Sequence, residues 1–333
     1  IEMFKNHANR IREYIQDPGI GYAKVEKILN AAHALKFQIS RTIGEKRLTE
    51  QDKRKAVFER FTKPKSDHPL LEPRNKQPEP MPDLKKIPIE PDEDILLFIM
   101  NYGRLTDWER DILHIVRDET MYFLPQMETK IMNEGWASFW HYTILNKLEL
   151  PQGLQIEFLK RHNQVIRPHL GQLNPYYIGF KIFEDLKNKN NGDTKKLFEV
   201  REVERDQSFI RRYLTRELCE EMNLFEYMKL GSNYIITEVS DEDGWKRVRD
   251  TIAYSAGLSG IPVISVLELV QKDNMLILEH QYDGRELELG YAYETIKHVV
   301  DLWDGKVMLA TMLDEKRKVI VCDEQKKVTL IDG

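Results

Sequence analysis

The chain contains only two cysteines among its 333 residues, Cys219 and Cys322, and they lie far apart. Neither belongs to a C-x-x-C pair, so the sequence offers no disulfide framework and no thiolate zinc site. Such sparse use of cysteine is typical of proteins in a reducing compartment. The composition therefore predicts a cytoplasmic protein.

Long apolar runs and an excess of one charge are also missing. The longest purely apolar run, residues 95–100, has six residues, whereas a membrane-spanning helix needs roughly 20. Fifty basic and 55 acidic residues give a net charge of −5, and both signs are mixed along the chain. A protein without a large basic surface cannot neutralise many phosphates. We therefore expect no membrane span and no nucleic acid as the main partner.

Motifs for nucleotide binding and serine hydrolysis are absent as well. The sequence contains no P-loop, no G-x-G-x-x-G and no G-x-S-x-G. A secretory signal is also missing, because the chain opens on Ile-Glu-Met with a helical pattern already under way. We expect the chain to be the interior of a longer protein.

Helical periodicity dominates the first two thirds of the chain. Apolar residues recur at steps of three and four in residues 1–61, which predicts a helical segment that continues a missing N-terminal region. Residues 62–91 hold eight of the 14 prolines and are expected to form an extended linker. The helical pattern resumes in residues 92–227. A capping box at Thr106 predicts a helix that ends near Tyr122, before Pro125.

The sequence pattern changes in residues 228–333, where short β-rich runs alternate with two helical stretches. Their order, β-α-β-β-α-β followed by a hairpin, predicts a small antiparallel sheet covered on one face by two helices. The expected fold class is therefore α+β, with a mostly helical domain, a proline-rich linker and a small C-terminal α+β module that folds independently.

The stretch ETKIMNEGWASFWHY, residues 128–142, carries the densest chemical information. On a helix, Lys130, Glu134 and His141 share one face, and Trp136 and Trp140 follow a neighbouring one. A carboxylate and an imidazole then line a groove beside two large aromatic rings. The glycine after Glu134 costs about 1 kcal/mol in a helix interior, which predicts close packing at that position.

Two interpretations of Glu134 and His141 stay open. In the first, they are a satisfied polar pair inside a helical bundle and the tryptophans are ordinary core. In the second, Glu134 is a metal ligand. Residues seven apart on a helix are separated by roughly 10 Å along the axis, so both side chains barely reach one ion. The second interpretation therefore makes His141 a group that supports the ligand or faces the substrate.

Four segments resemble the signature blocks of the SpoVR-like family, the stage V sporulation protein R proteins. They are RDETMYFLPQ (117–126), TKIMNEGWASFWHY (129–142), NPYYIG (174–179) and FEVRE (198–202). The resemblance extends over essentially the whole chain. Full-length members carry a further N-terminal region with an H-x-x-x-H stretch, and this sequence begins downstream of it.

The resemblance implies a biological role and two partners. Members of the family are linked to spore cortex formation in spore-forming bacteria and to stress responses elsewhere. Their genes often lie beside genes for a serine protein kinase and a von Willebrand A-type protein, which are therefore the expected partners.

The tetrapeptide Glu-Gly-Trp-Ala at residues 134–137 also resembles the helix that carries the third zinc ligand of gluzincin-type metallopeptidases. With two histidines from the H-x-x-x-H stretch, this implies a His₂Glu site for zinc or another divalent metal in the full-length protein, and no metal in this fragment alone. That stretch lacks the glutamate that serves as general base in gluzincins, so hydrolysis would need Glu119 or His141 instead.

The remaining candidates surround Glu134 in the sequence. Glu119 falls on an apolar stripe, where burial raises the pKa of a carboxyl group and suits it to acid–base catalysis. The alternative expectation is that Glu119 forms an ion pair with an arginine or with Lys130. Gln126, Lys130 and Asn133 are polar groups close to Glu134 and are expected to orient it.

These observations predict a cytoplasmic SpoVR-like protein that supports spore cortex formation or stress adaptation. Whether it is an enzyme stays open. One hypothesis is a metal-dependent hydrolase centred on Glu134. The alternative is a non-catalytic interaction or scaffold protein that acts with the serine protein kinase system.

Overall fold

The computed structural model describes residues 1–40, 93–168, 173–230 and 233–333. The predicted linker, residues 62–91, lies outside these ranges. The described elements, numbered along the chain, are α1 Glu2–Gln16, α2 Tyr22–Leu35, α3 Ile95–Tyr102, α4 Asp107–Glu128, α5 Lys130–Lys147, α6 Gln152–Ile166, α7 Pro175–Lys189, α8 Lys195–Val203, α9 Asp206–Tyr213, α10 Arg216–Glu221, β1 Phe225–Leu230, β2 Asn233–Val239, α11 Trp245–Ser255, β3 Ile264–Val270, β4 Met275–His280, α12 Leu289–Trp303, β5 Val307–Leu313, β6 Lys316–Cys322 and β7 Val328–Asp332.

The chain divides into two compact units. We call residues 1–122 together with 262–333 the sheet unit, and residues 123–261 the helical unit. The predicted fold class is confirmed, because a mostly helical chain carries a small α+β region near its C-terminus. The units divide the chain at residue 262 rather than at 228. The independent folding of residues 228–333 stays a prediction.

The sheet unit contains a five-stranded sheet in the order β3-β4-β5-β6-β7. Neighbouring strands are antiparallel except β4 and β5, which run parallel with Leu276 opposite Val307. The prediction of a purely antiparallel sheet is therefore wrong at this pair. The physical reason is α12, which lies between the two strands in sequence and returns the chain to the same end of the sheet.

One hydrophobic core joins this sheet to the helices of the same unit. Trp303 is 1% exposed, and its indole N–H donates to the carbonyl of Asn274 at 3.0 Å. Buried residues of α2, α3 and α4, among them Val25, Phe98 and Ile112, belong to the same core. The early helices and the late strands of the chain therefore stabilise each other.

Helix α4 begins as predicted and ends later. The backbone N–H of Thr106 donates to the Glu109 carboxylate at 2.8 Å, as in the predicted capping box. The helix nevertheless continues through Pro125 to Glu128, so the predicted end near Tyr122 is wrong. Proline has no N–H to donate to the carbonyl of Met121 one turn earlier, so the helix continues through Pro125 without that one hydrogen bond.

The helical unit is held together by a close crossing of α5 and α7. A Cβ atom added to Gly135 would overlap with the Cα atom of Gly179, and one added to Gly179 would overlap with the carbonyl oxygen of Ile131. The glycine after Glu134 is therefore required by close packing, as its helical position predicts. Strands β1 and β2 pair only with each other in an antiparallel hairpin, within the described residues.

Candidate functional site

Glu134 is partly buried on α5, and the phenol of Tyr176 on α7 lies beside its carboxylate. The hydrogen bond to this carboxylate raises the pKa of the Tyr176 hydroxyl. No cationic side chain among the described residues forms an ion pair with Glu134. The carboxylate is thus held by a neutral donor, and its negative charge is not balanced within the described site.

The position of Tyr176 follows from the start of α7. Asn174 caps this helix, because its side-chain oxygen accepts the N–H of Tyr176 at 3.0 Å. The Asn174 amide group also donates to the carbonyls of Val165 and Arg167, at 3.0 and 2.8 Å, which ties the start of α7 to the end of α6. This network and the glycine contact between α5 and α7 together fix the phenol beside Glu134.

The first turn of α5 has an unexpected partner. Thr129, at the N-cap position, makes no side-chain cap to the helix. Instead, the Asp206 carboxylate accepts the N–H groups of Ile131 and Met132, at 2.8 and 2.9 Å, and Asp206 is 1% exposed. Burial raises the pKa of Asp206 to about 6, although these N–H donors oppose the rise.

The three residues that were expected to orient Glu134 lie near it in sequence but have other contacts or none. The side-chain amide of Asn133 donates to the Thr129 hydroxyl at 2.8 Å. Lys130 and Gln126 are both exposed. None of the three bonds to Glu134 in the part of the chain that the structure describes, so their orienting role stays a prediction.

His141 and the two tryptophans lie on different flanks of α5. His141 is exposed, and its ring meets the ring of Phe158 edge to face at 5.4 Å. Trp136 packs against Phe198 at 5.0 Å and Trp140 against Trp136 at 5.5 Å, next to the buried core. The aromatic pair therefore belongs to the packing of the helical unit, while Glu134 and His141 share the more open strip of the helix.

Glu119 belongs to the sheet unit, whereas Glu134 belongs to the helical unit. The carboxylate of Glu119 lies 3.0 Å from the Nδ1 atom of His7 on α1, which is 5% exposed. The partner of Glu119 is therefore a histidine rather than the predicted arginine or Lys130. A catalytic role for Glu119 stays a prediction.

Sequence reasoning identified Glu134 and His141 but missed Asp206 and the particular role of Tyr176. The block NPYYIG did contain a signal for Tyr176, since Asn-Pro is typical of a helix start. Asp206 had no such signal, because it lies more than 70 residues from the helix that it caps.

The described residues contain no cluster of three histidine, cysteine, aspartate or glutamate side chains arranged to hold a metal ion. The role of Glu134 as one ligand of a His₂Glu site therefore stays a prediction. None of the helices that the structure describes combines the length and apolar character needed to cross a bilayer.

The chain was compared with known proteins. A family model described as "SpoVR like protein" matches residues 1–261, and a second, "SpoVR-like C-terminal domain", matches residues 262–314. The chain is 29% identical over 337 residues to the uncharacterized protein YcgB of Escherichia coli strain K12, and the match covers 90% of the chain and 66% of that protein. No solved structure matches. The two family models meet between residues 261 and 262, where the helical unit ends and the second segment of the sheet unit begins. The chain belongs to the SpoVR-like family.

Proposed function

We propose that this chain carries the carboxylate ligand of a metal-dependent site, with Glu134 binding zinc or another divalent metal. The two remaining ligands would be the histidines of an H-x-x-x-H stretch outside this chain. The observation that supports the proposal is the environment of Glu134: a partly buried carboxylate on a rigidly packed helix, held by a phenol and without a described cation. Such a carboxylate is suited to bind a metal ion.

The proposed reaction class is hydrolysis. A bound divalent metal would supply Lewis-acid activation and a water molecule of lowered pKa. Glu134 would hold the ion, and Tyr176 would keep the carboxylate oriented. His141, exposed on the same helix, is the proposed group that exchanges protons with the substrate. The proposed biological role is support of spore cortex formation or stress adaptation in the cytoplasm.

Metal analysis of the full-length protein tests this proposal. We expect a stoichiometric divalent metal in protein purified without a metal-binding tag, and loss of that metal in Glu134→Gln without loss of folding. Lys147→Gln, a change of an exposed residue at the C-terminal end of the same helix, should keep the metal. His141→Ala should also keep it but abolish biological complementation. Metal-free wild-type protein would overturn the proposal.

A second candidate function is a non-catalytic interaction protein that acts with a serine protein kinase and a von Willebrand A-type protein. The observation that favours it is the hairpin of β1 and β2, where Met228 and Ile235 lie opposite each other on one face and are 53% and 46% exposed. Apolar side chains that are exposed together mark contact surfaces. Binding of the purified kinase, measured by calorimetry and weakened by Ile235→Lys, would support this candidate over the metal site.

A further inference from the structure

Helix α5 presents Glu134 one turn beyond its own N-terminus, and that N-terminus is capped by a distant residue. The first four N–H groups of any helix lack partners inside the helix. In α5 two of them, on Ile131 and Met132, donate to the two carboxylate oxygens of Asp206. Asp206 is itself in the first turn of α9, so its charge lies at the N-termini of two helices, where the helix dipoles favour an anion.

Asp206 replaces a local cap that α5 lacks. The hydroxyl of Thr129 donates to the Pro125 carbonyl and accepts from the Asn133 amide, so it does not serve the N–H groups of the first turn. Asp206 therefore bonds to the backbone two and three residues before Glu134. A shift of this carboxylate would move the first turn of α5, and the Glu134 side chain with it.

We infer that Asp206 is the positioning residue of the Glu134 site: its buried carboxylate fixes the first turn of α5 and so sets the place of the Glu134 carboxylate. This inference rests on the proposed function, because it assigns Asp206 a role in metal affinity through Glu134. The inference also implies that the anchoring of α5 depends on pH. A protonated Asp206 carboxyl group accepts a hydrogen bond at one oxygen only and presents an O–H at the other.

The groups that act on Asp206 determine when it is protonated. Burial is the largest influence and raises its pKa, and the negative charge of Glu128 at the end of α4 raises it further. The N–H groups of Ile131, Met132 and Lys130 lower it. Glu128 is itself held by the N–H of Leu258 at 3.4 Å and by the guanidinium of Arg205 at 3.4 Å.

Protonation of Asp206 has two effects of opposite sign. The pKa rises from 3.8 to about 6 in the folded chain, so folding takes up a proton between these values. This proton uptake stabilises the folded chain. The full stabilisation is present below pH about 4, and it is lost as the pH rises through about 6. The first turn of α5 behaves in the opposite way, because it loses an acceptor when the pH falls through about 6 and its amides then exchange faster.

Hydrogen exchange of the full chain measures the local effect. After correction for the intrinsic rate, amide protection at Ile131 and Met132 should fall about tenfold between pH 7.5 and pH 5. Asp206→Asn should show no such step. The matched control is Asp193→Asn, which changes an exposed aspartate that accepts the N–H of Lys195 at 2.9 Å, and it should keep the step.

Zinc affinity of the full-length protein at pH 7.5 measures the consequence for the site. Asp206→Asn should weaken zinc binding about tenfold or more, and Asp193→Asn should not change it. Unchanged zinc affinity in Asp206→Asn, or an exchange profile of the wild-type chain that is flat from pH 5 to 7.5, would overturn the inference. The wild-type profile decides the question even if Asp206→Asn does not fold.

The two proposals fail in distinguishable ways. If the wild-type protein binds no zinc at all, the proposed function fails, whereas the exchange step at Ile131 and Met132 still shows whether Asp206 anchors α5. If Glu134→Gln loses zinc and Asp206→Asn does not, the metal site stands and the positioning role of Asp206 is wrong.

Discussion

Two buried carboxylates of the sheet unit are held differently from the two carboxylates at the start of α5 in the helical unit. In the sheet unit, Asp94 is fully buried and bonds to the guanidinium of Arg117 at 2.8 Å, and Asp301 lies between Lys27 at 3.0 Å and Lys326 at 2.7 Å. The two carboxylates of α5 and its cap have neutral donors instead, a phenol for Glu134 and backbone N–H groups for Asp206. A carboxylate with a cationic partner is already neutralised, whereas one with neutral donors can still attract a cation. The difference separates structural carboxylates from a candidate ligand.

The largest effect is expected from breaking the buried pair of the sheet unit. Asp94→Ala leaves Arg117 without its partner and removes the acceptor for the N–H of Leu97, so it should lower the free energy of unfolding by about 3–5 kcal/mol. Urea titration measures this loss. Asp107→Ala is the control, since its pair with Arg110 is exposed and should contribute less than about 1 kcal/mol. Equal losses in both variants would contradict the comparison.

The next effect concerns the packing of the helical unit. Gly135→Ala forces α5 and α7 apart and should cost about 1–3 kcal/mol or more. Gly153→Ala is the matched control, because a Cβ there meets no described atom within 4 Å, and alanine should stabilise α6 by up to about 1 kcal/mol. A neutral Gly135→Ala would show that the two helices are not in close contact.

Each unit has one buried cysteine that reports its opening. Cys219 lies in the helical core and Cys322 in the core of the sheet unit, and both are fully buried. Burial raises the pKa of both thiols, that of Cys219 to about 11, so alkylation at pH 8 requires opening of the unit. Asp94→Ala should accelerate labelling of Cys322 first, and Gly135→Ala that of Cys219 first.

The smallest effect is expected at the candidate site. Tyr176→Phe removes one hydrogen bond to a partly exposed carboxylate, which water can replace, so it should cost about 1 kcal/mol or less. Tyr177→Phe, a change at the neighbouring position, serves as the control in the same urea titration. A loss near that of Asp94→Ala would mean that Glu134 is held as rigidly as the structural carboxylates.

Local patterns in the sequence predicted most of the helices and strands. The Glu109 half of the capping box at Thr106, the Asn-Pro start of α7 and the alternation in β4 each depend on a few neighbouring residues, and the structure has all three. The continuation of α4 past Pro125 was not predictable in this way, because a proline removes a single helix hydrogen bond and does not by itself decide whether the helix ends there. The parallel pairing of β4 and β5 depends on the path of α12, which no single strand encodes.

The candidate site was predicted only in part for the same reason. The order of residues on one helix placed Glu134 and His141 on one strip, and the glycine beside them indicated close packing. The partners of Glu134 and of α5 come from α7 and α9, so their identity depends on tertiary contacts. Glu119 was expected to act in acid–base catalysis or to pair with an arginine or Lys130, yet its neighbour is His7, on a helix more than 100 residues earlier.

The two-part composition of the sheet unit has a consequence for the order in which the chain folds during synthesis. Its core needs α2 and α3 from the first segment and β3 to β7 from the last, and the helical unit, residues 123–261, lies between them. At about 5–20 residues per second, a ribosome needs roughly 7–28 s to make that intervening unit. The helical unit can complete its own core during this time, while the apolar faces of α2 and α3 stay unburied until the strands have been synthesised. We therefore expect the nascent chain to bind chaperones through these two helices and to release them only when β3 to β7 have been made.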